Sequence, residues 1–379
     1  MTRSGVWDLQ DVRDKYLQSE WVQYQNLYIW GGGPNGVPGL NQNDVRYSSP
    51  IQLPGQWNMA LVDASSMYSS MGVKADGTMW TWGNNSYGML GAGLPPSDPN
   101  ATASSPIQIP GSWDSGYGKF ELGRGFKAAI KQDGSLWTWG HNQYAMLGQN
   151  NTTNYSSPRQ IPGTWDVIST GHNNAAAIRD SKLYIWGFGF SGKIMGSTTP
   201  RSSPYQIGNN NTWSDICISK ESVITIKNDN TLWSWGAGEY GQTAQNSETN
   251  YSSPRTVGTA TNWAHIGRMG GQGSYWATNT SGDLYTWGQN EKGQLGHNNR
   301  TEYSSPRQIP GTWDMGVRND GQSVTFTKTD GTIWCWGQSE YGNSGQNNTN
   351  DYSSPVQVPG TWTTGILHGN STGYQKALS

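Results

Sequence analysis

Leu136-Trp137-Thr138-Trp139-Gly140-His141-Asn142 is the clearest copy of a stretch that recurs along the whole chain. Its Trp-Gly core returns at Trp30, Trp82, Trp139, Trp186, Trp235, Trp287 and Trp336, at intervals of 52, 57, 47, 49, 52 and 49 residues. A Ser-Ser-Pro follows each copy, ending at Pro50, Pro106, Pro158, Pro204, Pro254, Pro306 and Pro355. One more Trp follows each proline, at Trp57, Trp113, Trp165, Trp213, Trp263, Trp313 and Trp362. Three landmarks in one order, seven times each, define a repeat architecture. A unit of about fifty residues cannot bury its own apolar face, so the units must stack on one another. The 379 residues are therefore read as one array rather than as two or three ordinary domains.

Within a unit the pattern is that of short strands. Trp165 to Ser169 is a first strand and Gly171 to Asn174 a turn. Ala175 to Arg179 is a second strand of small and branched residues, Asp180-Ser181 turns the chain, and Lys182 to Trp186 is a third. A long polar loop leads to Ser203 to Ile207, a fourth and outer strand. Elsewhere the turn before the third strand is Asp-Gly, at Asp76-Gly77, Asp133-Gly134 and Asp330-Gly331, a strong hairpin signal. A proline near the start of the fourth strand fits an edge, because it has no N–H to give an interior ladder. No unit holds a helical stripe of apolar residues. The expected fold is all-β: a seven-bladed propeller of four-stranded antiparallel blades.

The two ends of the chain complete one another. Asn26 to Gly31 reads as a third strand with nothing before it to supply a first and second. Trp362 to His368 and Gly373 to Leu378 read as a first and a second strand after which the chain stops. Residues 26–53 and 362–378 are thus expected to share one blade and close the ring, removing exposed edges. The expected division is a docking segment over 1–22 and a propeller over 23–379.

Composition narrows function. Charged residues make up 13% and the net charge is -2, so no basic field draws nucleic acid or anionic membrane. No apolar run is long enough to span a membrane, and the start of the chain has no secretory pattern. Cys217 and Cys335 form no metal or disulfide pattern and are expected to be small buried residues. His141, His172, His265, His297 and His368 fall in different units, with no metal-ligand spacing. No phosphate loop and no nucleophile elbow is present. The chain is expected to have no enzymatic activity, no cofactor and no metal.

Trp287-Gly288-Gln289-Asn290-Glu291-Lys292-Gly293-Gln294-Leu295-Gly296 resembles the signature of the regulator of chromosome condensation repeat family, and Trp82 to Gly91 is a second close copy. The resemblance covers residues 26 to 379 and implies a seven-bladed propeller, but no single function. Its members include an exchange factor for a small GTPase, a secreted β-lactamase inhibitor and many bacterial and phage proteins. Some copies decay: Gly241-Gln242-Thr243-Ala244 and Gly342-Asn343-Ser344-Gly345 lack the leucine.

Two regions are candidates for binding. Residues 1–22 read as a helix that presents Trp7, Leu9, Val12, Tyr16, Leu17 and Trp21, either packed on the propeller or docking it to a larger assembly. The segment 4–13 resembles short segments of tailed-phage virion proteins. The third-to-fourth loops carry Tyr87, Tyr144, Tyr240 and Tyr341 at matching positions, with Lys292 in another unit. They form either a rigid aromatic binding ring or a cover for the neighbouring blade. The tyrosines before Ser-Ser-Pro (Tyr47, Tyr155, Tyr251, Tyr303, Tyr352) are read as packing.

The functional expectation is a structural or adhesive virion component, in a tail, fibre or capsid decoration. It would meet other virion proteins through 1–22, and a host-surface protein or glycan through the loops. The alternatives are a bacterial protein-binding propeller in the cytoplasm, inhibitor-like or scaffolding, and a GTPase exchange factor. The missing basic tail argues against chromatin.

Overall fold

The computed structural model describes residues 26–32, 39–42, 46–62, 69–94, 102–189, 193–209, 211–269, 273–316, 322–340, 342–360, 366–367 and 374–378. Their strands form six antiparallel sheets, five of four strands and one of seven. The four-stranded sheets span 120–164, 167–206, 213–256, 263–309 and 313–357 and are called sheets two to six. Sheet one runs Ile366–Leu367, Tyr374–Leu378, Asn26–Gly32, Arg46–Val62, Ser69–Lys74, Met79–Asn84, Thr102–Ile109. Apart from one 3-10 turn at Ser86–Gly88, the described residues contain no helix.

The expected count of seven separate blades is corrected to six sheets. The cause is local. Arg46–Val62 is one continuous strand of 17 residues, because strand pairing carries on across a bulge at Pro54-Gly55, where Gly55 has a φ of 114°. Its first part pairs with the strand at Asn26, through Leu27↔Leu53 and Gly32↔Arg46. Its second part pairs with Ser69–Lys74, through Trp57↔Lys74 and Val62↔Ser70. The seven landmark sets therefore lie on six sheets, and sheet one takes up two of them. The chain ends do meet as expected: Leu27 pairs with Leu378, and Gly31 with Tyr374. Tyr28 then packs on Ile333, Cys335 and Val358 of sheet six. The helix expected over 1–22, with Trp7, Leu9, Val12, Tyr16, Leu17 and Trp21, lies outside the described residues, as does the boundary at 22/23.

Burial follows strand position. In sheets two to six the second strand is buried along almost its whole length, as at Asn174–Arg179 and Ser222–Lys227, because neighbouring sheets cover both its faces. That is why Ala175-Ala176-Ala177 suits the site. The outer strands alternate between exposed and half-buried residues. Most apolar clusters bridge two sheets: Phe126, Leu136, Ile168, Ala177 and Trp186 belong to one, drawn from sheets two and three. Cys217 and Cys335 are buried and free, as expected.

The landmarks are the residues that join one unit to the next. The indole of the Trp-Gly tryptophan donates to a carbonyl of the preceding unit in five places: Trp139 to Met89 (3.0 Å), Trp186 to Met146 (2.8 Å), Trp235 to Ile194 (2.9 Å), Trp287 to Gln242 (3.1 Å) and Trp336 to Gln294 (2.8 Å). Ser-Ser-Pro lies opposite that tryptophan, where the ladder slips, as between Thr138 and Gly140 or Ile185 and Gly187. A proline without an N–H is tolerated at such a bulge. The slip lets the preceding loop approach: a Cβ on Gly88 would lie 2.5 Å from the Ser156 Cα, and one on Gly293 2.6 Å from that of Ser353.

At the opposite end of each unit the hairpin is stiffened in a repeated way. Lys74, Lys131, Lys227 and Lys328 place their ammonium groups 3.6 to 3.9 Å from the rings of Trp80, Trp137, Trp233 and Trp334. Three sheets are also tied directly to each other. The Tyr117 hydroxyl hydrogen-bonds the Ile266 carbonyl, 149 residues away, and lies 3.3 Å from Asp215 Oδ2. Arg268 forms a buried ion pair with Glu121 at 3.5 Å and donates to the Ile218 carbonyl at 3.1 Å.

Candidate functional site: the loop face

The loops between third and outer strands are pinned from within. The Oδ1 of Asn85, Asn142 and Asn290 accepts from the backbone N–H of Leu90, Leu147 and Leu295, at 3.1, 2.9 and 2.9 Å. Thr81, Thr138 and Thr286 donate to the carbonyls of the same three leucines at 2.6, 2.7 and 2.7 Å. Where the motif has decayed, other side chains substitute. Ser339 Oγ stands in for the asparagine and accepts from Ser344 N–H at 3.0 Å. These loops form a pre-organised platform, which lowers the entropic cost of binding.

The candidate residues fall into two kinds. Tyr87 is 38% exposed and stacks on His141 at 4.2 Å. Tyr144 is half-buried, 5.7 Å from Phe188, and packs against the apolar cluster of sheets two and three. In both cases the partner is the residue that follows Trp-Gly in the next repeat. Tyr240 and Lys292 are half-buried, and their backbone N–H groups are held by Gln242 and Gln294. Tyr341 lies outside the described residues. The structure thus brings Tyr87 and Tyr144 onto their neighbouring loops. The tyrosines before Ser-Ser-Pro are held in place: Asn151, Asn299 and Asn348 each donate to the hydroxyl of Tyr155, Tyr303 and Tyr352 at 3.0 Å.

The structure adds a repeated glutamate position that the sequence reading missed. One loop position, directly before Tyr240, Lys292 and Tyr341, is held by exposed Glu239, Glu291 and Glu340 in sheets four, five and six. In the earlier units the same position is Ser86 and Gln143. Aligning the loops shows this, but attention to the tyrosines hid the residue beside them. Burial, and then the neighbouring charges of Glu291 and Glu248, hold the Glu302 carboxyl above the usual range. Lys193 bridges Glu221 at 2.9 Å and Glu239 at 2.8 Å, and Lys220 reaches Glu221 at 3.2 Å. Burial is the largest influence on Glu221 and opposes its charge, but the hydrogen bonds and charges of Lys193 and Lys220 together outweigh it and lower the carboxyl's pKa.

The other half of the face is aromatic, with one arginine. Arg124 donates to His172 Nε2 at 2.8 Å, so that nitrogen is the acceptor of a neutral ring. Burial lowers the pKa of His141, and the Arg124 charge adds to the effect. The loop face therefore differs along its length, with Tyr87, Arg124, His141, Tyr144 and His172 toward sheets one to three, and Glu239, Glu291 and Glu340, with Lys193, Lys220 and Lys292 among them, toward sheets four to six. Among the described residues no group of three or more His, Cys, Asp or Glu side chains is placed to hold a metal ion, and no helix is long and apolar enough to cross a membrane.

Comparison with known proteins gives the same architecture. The model of the regulator of chromosome condensation (RCC1) repeat matches residues 133–178 and 281–317. The ultraviolet-B receptor UVR8 of Arabidopsis thaliana is 25% identical over 294 residues, covering 74% of this chain and 64% of the receptor. The E3 ubiquitin-protein ligase HERC2 of Homo sapiens is 24% identical over 298 residues, covering 75% of this chain and 6% of the ligase. The matched region thus spans less than two thirds of either relative. Among solved structures, yeast RCC1 (Prp20) bound to Kap60 superposes with a TM-score of 0.79 at 16% identity, over 94% of this chain and 89% of that one. Human WBSCR16 superposes with a TM-score of 0.77 at 17% identity, over 94% and 99% of the two chains. By its repeats and by its fold, the chain carries the β-propeller architecture of the RCC1 repeat family.

Proposed function

We propose that the chain is a non-enzymatic protein-binding propeller whose loop face holds a partner that presents lysine and arginine. The observation that supports this is the internally pinned loop face, with Glu239, Glu291 and Glu340 exposed at one repeated position. Such a surface steers a basic partner and loses affinity with salt. The repeat family favours binding over catalysis. The E3 ligase name belongs to proteins of which this chain matches a small part. A yeast relative is described with binding to Gsp1p and histones, a property of that protein.

The setting we propose is a tailed-phage virion, with 1–22 as the docking segment and a bacterial cytoplasm as the alternative. It rests on the sequence of 4–13 alone, and the plant and animal relatives lend it no support. A glycan or host-surface protein at the loop face has the same standing.

The test is affinity capture and cross-linking of partners by the full chain and by Glu239→Lys/Glu291→Lys/Glu340→Lys. The partner should be lost from the variant and from the wild type at high salt, with melting unchanged. A variant that captures the same partner equally well would overturn the reading.

A further inference from the structure

At the hairpin end, sheets one, two, three, four and six each hold a cation between two aromatic rings. Lys74, Lys131, Lys227 and Lys328, already seen on Trp80, Trp137, Trp233 and Trp334, also lie 4.9 to 5.3 Å from the rings of Trp57, Trp113, Trp213 and Trp313. In sheet three the ring on the third strand is a tyrosine, and there the cation is an arginine. The Arg179 guanidinium carbon is 4.8 Å from the Trp165 ring and 5.0 Å from the Tyr184 ring. Its Nη2 donates to the Tyr184 hydroxyl at 3.2 Å. Pairs of tryptophans thus take an ammonium, and the tryptophan–tyrosine pair takes a guanidinium, whose planar fork can stack on one ring and donate to the other's hydroxyl.

Sheet five repeats the tryptophan–tyrosine pair but supplies no cation to it. The Trp263 and Tyr285 rings are 5.2 Å apart at 76°, against 5.4 Å and 78° for Trp165 and Tyr184. Across the ladder Trp263 faces Asn279, where Trp57, Trp213 and Trp313 face Lys74, Lys227 and Lys328. The Asn279 side chain is engaged in its own turn: its amide donates to Asp283 Oδ2 at 2.8 Å, and its Oδ1 accepts from the N–H groups of Ser281 and Asp283. The cover is missing as well. Over Arg179 the Pro162-Gly163 turn closes, and the Pro162 carbonyl accepts from Arg179 at 3.2 Å. Ahead of Trp263 stand Gly258-Thr259-Ala260-Thr261-Asn262 instead, and a Cβ on Gly258 would meet nothing within 4 Å. Sheet four lacks the Pro-Gly too, yet it keeps Lys227. Trp263 is accordingly 6% exposed, against 1 to 3% for Trp57, Trp113, Trp165, Trp213 and Trp313.

The charge beside the pair is also reversed. Asp283 stands two residues before Tyr285, where Lys182 stands before Tyr184. Its carboxylate accepts from neutral amides, Asn279 at 2.8 Å and Gln308 at 3.0 Å. Burial, and then the Asp283 charge, raise the Tyr285 pKa, so the carboxylate is felt at that ring. We propose that the Trp263–Tyr285 pair, with Asp283 beside it, binds an arginine side chain of a partner protein in the way that Arg179 is held in sheet three. The rings already stand in the binding geometry, so little ordering is required. The site is at the opposite end of the sheet from Glu291 and stands without the loop-face reading.

The test is titration of the ¹⁵N-labelled full chain with a capped five-residue peptide, arginine at its centre and glycine elsewhere, following the Trp263 indole N–H signal. Counterparts with citrulline, which is neutral, and with lysine are titrated separately. The arginine peptide should move the signal with a dissociation constant on the order of millimolar. The lysine peptide should bind about threefold or more weaker, and the citrulline peptide should leave the signal in place. Asn279→Arg supplies the missing side chain from within, and should weaken peptide binding about tenfold or more with melting unchanged or raised. Glu239→Lys/Glu291→Lys/Glu340→Lys should keep the wild-type response, which separates this site from the loop face. The proposal is overturned if the arginine peptide leaves the Trp263 signal in place, if the citrulline or lysine peptide binds as well, if Asn279→Arg binds like the wild type, or if the triple glutamate variant loses the response.

Discussion

The two ends of each sheet are built on opposite rules. At the hairpin end, four units share one relay almost to the tenth of an ångström. Thr78, Ser135, Thr231 and Thr332 each donate to the aspartate two residues earlier at 2.6 Å. The indoles of Trp80, Trp137, Trp233 and Trp334 each donate to that hydroxyl at 2.8 Å. At the loop end the backbone pins repeat but the outward side chains differ: Tyr87 meets His141, Tyr144 meets Phe188, Lys193 holds two glutamates, and Glu302 sits beside Glu291 and Glu248. Uniform contacts serve the stacking that every unit needs. Variation is tolerated where the scaffold has already been secured, which is where binding residues gather on rigid folds.

The most severe way to break this comparison is to remove a contact on which both ends depend. Trp186→Ala deletes a fully buried indole and its bond to Met146, and should cost about 3–5 kcal/mol, read by chemical denaturation. The next test is within the loop end. Tyr144→Ala should cost roughly 1–2 kcal/mol, because its ring joins an apolar cluster, whereas Tyr87→Ala should stay within about 0.5 kcal/mol. Equal losses for the two tyrosines would mean that the loop end is as structural as the hairpin end. At the hairpin end, Thr332→Val removes both the donor to Asp330 and the acceptor for Trp334. It should cost about 1 kcal/mol, with partner binding unchanged.

The last test, whose effect is small at neutral pH, is one of pH. Burial, with Arg307 adding to it, lowers the His297 pKa from 6.5 to about 4. The unfolded chain therefore binds the proton first, and stability is lost as pH falls from about 6.5 toward about 4. His297→Asn should flatten that part of the melting-temperature profile while leaving the values near neutral pH almost unchanged. A profile with the same slope in the variant would assign the loss to other groups.

Much of the fold was legible because its causes are local. Asp133-Gly134 turns a hairpin wherever it stands, and the positive φ of 80° at Gly134 is what glycine allows without strain. The candidate site was legible only in part. The position of Tyr87 followed from the repeat, but whether a tyrosine stacks on a histidine or sinks into a core depends on the next unit. Glu239, Glu291 and Glu340 could be aligned, yet Glu248 and Glu302 join them only through the folding of separate loops.

The sequence by itself determined the period, the four-strand unit, the buried free cysteines and the pairing of the strand at Asn26 with the strand at Tyr374. Each follows from patterning within a unit, or from counting what the ends lack. Only the tertiary structure decided that Arg46–Val62 runs unbroken and merges two sets of landmarks into one sheet. It alone placed Tyr117 against Ile266 and paired Glu121 with Arg268. The physical reason is that a repeat predicts what every unit has in common. These features arise where unlike units meet, and a contact between residues far apart in the chain leaves no periodic mark on either of them.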